Sequence, residues 1–325
     1  MHRRTLLCSL SLLWLLGCVA ATPKVVAPPP PPKPPEDPWS WLPEDATTIG
    51  HVELTALRKS QLWPLWSELE REQHLTSWVA LDKVDELSFG GSGQSRDDLS
   101  FVASLEGSFS EGELGELAAR DQLAPEQRGL LTVYRRPDAV WTQINSKLIV
   151  ACTPDRLDAL VARASAGPGT PVKQGGLFRS LAERVGLEQA HAAIIAEDSE
   201  GKRKDLIERQ ASRYGLGSIV REAVRLGASL EVGSSYRLVA VAEAADATRA
   251  EGLETAVRDK LDALASNFLV RILGVGKLIS SLRPSTDGNY VFVRADVAEE
   301  ELNQLLHRLQ GALDLAGGLS SAGPQ

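Results

Sequence analysis

Trp141-Thr-Gln-Ile-Asn-Ser-Lys-Leu-Ile-Val-Ala-Cys152, followed by Thr153-Pro154-Asp155, decides the fold class. Two β-prone runs, Trp141 to Ile144 and Leu148 to Cys152, flank the turn residues Asn145-Ser146, which is the pattern of an antiparallel hairpin. Thr153 then stands as a cap with proline at the first helical position, and this predicts a helix that ends near Gly167. The unit is strand, turn, strand, capped helix.

The same unit recurs along the chain. Upstream, Asp85 to Phe89 and Leu99 to Glu106 flank a turn at Gly90 to Gly93, and Ser110 with Glu113 has capping-box spacing for a helix from about Glu111. Downstream, Ala228 to Val232 pairs with Tyr236 to Glu243. Asp246 caps a long helix whose Leu253, Val257, Leu261, Leu264 and Phe268 form one stripe. A fourth hairpin joins Leu278 to Arg283 with Tyr290 to Ala295, and Asp296 with Glu299 repeats the cap ahead of Leu302, Leu305, Leu306 and Leu309. Two strand-then-helix segments lead the series: Thr47 to Glu53 into Leu54 through Glu72, and Ala192 to Glu197 into Lys202 through Val224.

The order is thus strand-helix, hairpin-helix, hairpin-helix, given twice on either side of a Gly- and Pro-rich link, Ala166 to Pro171. An internal duplication and one continuous α+β domain both fit. Short hairpins favour antiparallel sheets, so the expected class is α+β with helices packed on one sheet face. The expected divisions are a signal at 1–17, a linker at 18–38, a first half at 39–166, a link at 167–175, a second half at 176–315 and a tail at 316–325.

The beginning of the chain carries an address. His2, Arg3 and Arg4 precede an apolar stretch from Leu6 to Leu16. At about 1.5 Å per residue that stretch reaches roughly 16 Å, half of a ~30 Å hydrocarbon core, so it reads as a removable secretory signal. Leu15-Leu16-Gly17-Cys18 resembles the bacterial lipobox. The resemblance implies cleavage before Cys18 and acyl chains on its sulfur, enough for stable membrane attachment. An ordinary signal ending near Ala20-Ala21 is the alternative. Val19, where well-studied members carry aspartate if they stay in the inner membrane, implies the outer membrane, with the domain facing the periplasm. Thr22 to Pro38 is proline-rich and favours polyproline II, and Val19 to Pro38 at about 3.1 Å per residue spans up to roughly 60 Å. Leu42-Pro43-Glu44-Asp45-Ala46 resembles the start of uncharacterised exported bacterial proteins, a resemblance that implies no activity.

The 325 residues carry a formal charge of −8, more negative once Arg3 and Arg4 leave with the signal, and this argues against a nucleic-acid partner. Cys8 leaves with the signal and Cys18 takes lipid, so Cys152 has no disulfide partner and reads as a small buried apolar residue. No cofactor is expected: Gly274-Val275-Gly276-Lys277-Leu278 lacks the phosphate-loop spacing, and Tyr214-Gly215-Leu216-Gly217 lacks a third glycine. No local metal pair exists among His51, His74, His191 and His307, although His51 and His191 open the two equivalent leading strands. Gly91-Ser92-Gly93-Gln94-Ser95 is a hairpin tip rather than a nucleophile elbow, and Asp97-Asp98 with Glu86 reads as solvated acids.

Two features resist a purely structural account. Tryptophan is confined to the first half of the body, where Trp63, Trp66, Trp78 and Trp141 are candidate ligand-binding aromatics for a glycan or a partner protein, against core packing as the plainer reading; Trp39 and Trp41 would clamp the base of the linker. Phe268 to Val275 is apolar almost all round and needs cover, from between the halves or from another protein. The reading that follows is a lipid-anchored envelope protein that binds or scaffolds without catalysis. The alternatives are an envelope hydrolase with a site assembled from distant segments and a subunit of a larger envelope complex.

Overall fold

The computed structural model describes residues 33–64, 78–93, 100–167, 176–197, 212, 222–267 and 276–304. These belong to one unit, Lys33–Gln325; the other unit, Met1–Pro32, lies outside the described residues. Helices α1 to α6 are Leu54–Arg58, Glu113–Arg120, Leu157–Ala166, Gly176–Val185, Ala247–Ser266 and Gly276–Ser281. In the first half the strands are β1 (Thr48–Glu53), β2 (Val84–Ser92), β3 (Ser100–Gly107), β4 (Pro125–Arg128), β5 (Leu131–Arg135), β6 (Val140–Asn145) and β7 (Leu148–Cys152). The second half supplies β8 (Ala192–Glu197), β9 (Ala223–Val232), β10 (Ser235–Ala244), β11 (Arg283–Asp287) and β12 (Tyr290–Ala298).

All twelve strands form one antiparallel sheet in the order β11-β12-β10-β9-β8-β1-β2-β3-β7-β6-β5-β4. The α+β antiparallel class read from the sequence is the architecture found. Outward from the central β1–β8 pair, the order β1-β2-β3-β7-β6 on one side matches β8-β9-β10-β12-β11 on the other. The pair itself is symmetric: Gly50 faces Ile194 at the centre, and the backbone N–H of Glu53 donates to the carbonyl of His191 as that of Glu197 donates to Thr47. Only glycine fits at the centre, since a Cβ at Gly50 would come within 2.4 Å of the Phe89 ring and 2.9 Å of the Ala193 carbonyl.

Alternation along β7 shows why both faces are covered. Leu148, Val150 and Cys152 join a core with α3 and α4, whereas Ile149 and Ala151 join a second core with α1 and α2. Helices therefore lie on both faces rather than the single face expected, because β7 is apolar at every position and buried on both sides.

Several elements differ from the sequence reading in their bounds. α2 starts at Glu113 behind Gly112, whose φ of +83° ends the preceding turn, and Glu113 Oε2 accepts from the Ser110 N–H at 2.9 Å, one arm of the expected box. Ala223 and Val224 begin β9 instead of ending a helix. Leu278 to Ser281 are helical in α6, and extension begins at Arg283, which Pro284 behind it forces out of the helical region. Asp296 stays in β12 with its carboxylate accepting from Arg237 Nε at 3.0 Å, so it does not cap. The cap at Asp246 is as expected, accepting from the Arg249 N–H at 2.8 Å.

Chain entry is tightly fixed. Asp37 caps a 3-10 turn, Pro38–Trp41, in which Trp39 and Trp41 are buried, as the clamp reading expects. Trp41 Nε1 donates to the Pro35 carbonyl at 3.0 Å, Ser104 Oγ donates to the Pro38 carbonyl at 2.7 Å, and Arg156 holds both Asp45 oxygens at 2.7 and 2.9 Å.

Candidate functional site

Two of the concave sites among the described residues stand on opposite faces of the sheet. The first arises from the apolar runs of β8, β9, β10 and β12. Residues on one face of these strands pack on α4, where Phe178, Leu181 and Val185 meet Ala193, Ile195 and Val241. Residues on the other face align in three cross-strand rows: Ala192-Leu230-Leu238-Ala295, Ile194-Ala228-Ala240-Val293 and Ala196-Leu226-Ala242-Val291. No polar side chain interrupts the rows. Part of this surface is covered by α5, through Ala250 and Leu253 against Ala242 and Val291. Beyond that contact a groove of about 410 Å³ opens between Val257 of α5 and the sheet, floored by Ile194, Ala196, Leu226, Ala228 and Ala240. Ile194 is 45% exposed and Leu238 42%, high values for large apolar residues on interior strands. The small side chains of the middle row, Ala228 and Ala240, lie between rows bearing leucines and so form the low line of the floor.

The second site is polar. Register sets His51 beside Ser88, and Ser88 beside Ser104, while Glu53, Glu86 and Glu106 form the neighbouring row. A cavity of about 360 Å³ is bounded by His51, Glu86 and Glu106 with Asp37 to Trp39 of the entry segment and Leu187-Glu188 after α4. His51 is only 9% exposed. Its Nε2 lies 2.7 Å from the Ala190 carbonyl, and its Nδ1 is 3.3 Å from Glu86 Oε1, within ion-pair distance but off the line of a hydrogen bond. Burial pushes the imidazole pKa down, but contact with Glu86, the Ala190 carbonyl and the charges of Glu86 and Glu53 outweigh it and hold it above the ordinary histidine value. Glu106 is raised by burial and by Glu86, Asp85 and Asp37, with Lys147 opposing.

Of the candidate aromatics, Trp78 and Trp141 are in the core, their rings edge to face with centroids 5.6 Å apart, and Trp78 Nε1 donates to Asp121 at 2.8 Å. Neither borders the groove or the polar cavity. Trp63 is half-buried, with the Arg58 guanidinium 5.9 Å from its ring centre. Trp66 lies outside the described residues, as do Asp97, Asp98 and the 268–275 stretch. No contact joins His51 and His191 among the described residues: His191 Nδ1 instead accepts from the Val232 N–H at 2.9 Å, and its Nε2 is 3.8 Å from Glu53. Cys152 is fully buried, and burial drives its thiol pKa up to about 12. Among the described residues no group of histidines, cysteines and acids is arranged to hold a metal ion.

No family model matches the chain, and no curated protein matches it. Solved structures do. Crystal form I of TP0453 aligns over 83% of this chain and 96% of its own length, with 12% identity and a TM-score of 0.51. Crystal forms III and IV of the same protein give TM-scores of 0.47 and 0.46. The likeness is one of fold alone. It carries no residue role, so both sites rest on the geometry of this chain.

Sequence reasoning named none of the groove residues as a site. The apolar runs of β8 to β10 were visible, but which face α5 leaves open is set by helix placement. His51 and Glu86 were each noted, and only strand register brings them together.

Proposed function

We propose that this chain is a lipid-anchored protein of the bacterial envelope that works by binding rather than by catalysis, and that its ligand is an acyl chain or a similar linear apolar chain taken by the groove on β8, β9 and β10. The single observation that carries the reading is the groove itself, an open concavity floored by interior strands with no polar side chain. Ligand sites are commonly concave and largely apolar in the range of about 300–1,000 Å³, and this groove falls within it. Lacking a titratable group, it offers apolar area and nothing for proton or group transfer.

The chemistry of the lining selects among occupants. An extended peptide needs partners for its amides, yet β8, β9, β10 and β12 are each hydrogen-bonded to neighbours on both sides. Every backbone group buried there without a partner would cost about 1–3 kcal/mol. An unbranched hydrocarbon has no polar group to satisfy and gains about 0.8 kcal/mol per buried methylene.

Support for the anchor comes from the sequence: the basic start, the short apolar stretch, Gly17-Cys18 and the proline-rich run after it. The buried entry segment suits a chain that is tethered at its N-terminal side. Protein purified from bacterial membranes is expected to carry a diacylglycerol-sized addition on residue 18; an unmodified sulfur there would remove the anchor from the account.

Groove binding is tested on the full chain with Cys18→Ser, which removes competing lipid, titrated with the fluorescent fatty acid cis-parinaric acid. We expect saturable enhancement at about one probe per chain, weakened at least tenfold by Ile194→Glu. Because Ile194 is half-exposed, that substitution is expected to change unfolding free energy by only about 0.5 kcal/mol. Equal enhancement in Ile194→Glu, or none in the parent, would overturn the assignment.

A further inference from the structure

We infer that His51 is a pH-sensitive pin, which in its protonated form holds the entry segment Asp37–Trp41 and the Gly186–Ala190 turn against the centre of the sheet. The argument begins with the two ring nitrogens. Nε2 faces the Ala190 carbonyl at 2.7 Å and Nδ1 faces the Glu86 carboxylate at 3.3 Å, so both look at acceptors. A neutral imidazole has one N–H and one lone pair, and here the lone pair would confront an acceptor in a buried place. The imidazolium donates to Ala190 through Nε2 and sets its positive charge beside the Glu86 carboxylate.

The pin joins three parts of the chain. Ala190 closes the turn after α4, Glu86 lies on β2, and the Trp39 ring of the entry segment sits 5.9 Å from the imidazole. The charged groups around it are Glu53 on its own strand, Glu86 with Asp85 on β2, Glu106 on β3, Asp37 on the entry segment and Glu188 in the turn. Lys147, ahead of β7, and His191, beside Glu53, are the neighbouring groups that carry or can gain positive charge. Carboxylates therefore dominate. When His51 loses its proton, Glu86 loses the cation beside it while Glu53 and Glu106 remain in the same row, and the wall formed by the entry segment loosens.

The sign follows from linkage. A histidine raised in the folded state stabilises fully below the unfolded value of about 6.5, and that stabilisation is lost as pH rises through the folded value. The pin holds on the acid side and releases as pH rises through the folded value.

The test is hydrogen exchange of the full chain from pH 6 to 9, corrected for intrinsic rates, read at residues 36–42 and 186–190, beside an NMR titration of the histidine rings. The expected result is a His51 midpoint above 6.5 and protection of both segments falling with it. The fall should be about tenfold for each unit by which the midpoint exceeds that of free histidine. In His51→Gln, whose amide N–H can still serve Ala190, protection should be flat with pH. Glu86→Gln should move both midpoints to lower pH together, and it decides the matter if His51→Gln fails to fold. His191→Gln should leave the transition in place. Protection that falls identically in His51→Gln or follows His191, or a His51 midpoint at or below 6.5, would overturn the inference.

Discussion

Replacing Arg225 with methionine is expected to destabilise the fold by about 3–5 kcal/mol, the cost of leaving buried carboxylates without their cation. Glu197, Arg225 and Glu243 stand side by side across β8, β9 and β10. Arg225 Nη1 lies 2.8 Å from Glu243 and Nε lies 3.4 Å from Glu197, which is only 4% exposed. Asn289 adds a bond to Glu243 at 3.2 Å, but nothing else positive faces Glu197 among the described residues. Without the guanidinium, Glu197 is left buried with its cation removed. Denaturant melts measure the loss, and Glu197→Gln added to Arg225→Met should recover more than half of it. A loss below about 1 kcal/mol at pH 8 would mean that Glu197 is solvated in the folded protein.

The second large effect is expected at the chain's entry. Trp41→Ala removes a side chain that is 2% exposed and packs in the same core as Leu42, Val102 and Leu160, and truncating such a residue costs about 3–5 kcal/mol. It also leaves the Pro35 carbonyl without the indole N–H. Trp63→Ala is the internal comparison: Trp63 is half-buried at the rim of the other core, and its loss should cost no more than half as much. Equal losses at the two positions would show that residues 38–41 are not part of the core. Because the entry segment is where a membrane tether would pull, Trp41→Ala should also expose residues 33–42 to proteolysis before the rest unfolds.

Much of the fold can be read in the sequence, and the reasons it stops are local. The Trp141–Cys152 hairpin and the Asp246-capped helix were legible because turn residues, alternation and a side-chain cap coincide there. The hairpin of β4 and β5 was missed: Glu126-Gln127-Arg128 is polar throughout and Pro125 suits only an edge, which is where β4 lies. The α4 helix was missed although Phe178, Leu181, Ala182 and Val185 have helical spacing, since no side-chain cap marks its start. Doubling of the element order was legible, and the symmetric sheet follows it, but the closure of both halves through β1 and β8 depends on Gly50 meeting Ile194, a pairing no local pattern announces. The sites were the least legible. His51 and Glu86 are united by register, and the groove exists because α5 stops short of covering three apolar rows.

Occupancy of that groove is measured most directly by methyl NMR of the full Cys18→Ser chain, labelled at isoleucine and titrated with a saturated fatty acid. The Ile194 δ1 methyl should shift in proportion to bound ligand and show contacts to its methylene protons, while Ile49 and Ile149, buried in the two cores, keep their positions. A fatty acid that binds while the Ile194 methyl stays unmoved would contradict the assignment of this groove as the binding site.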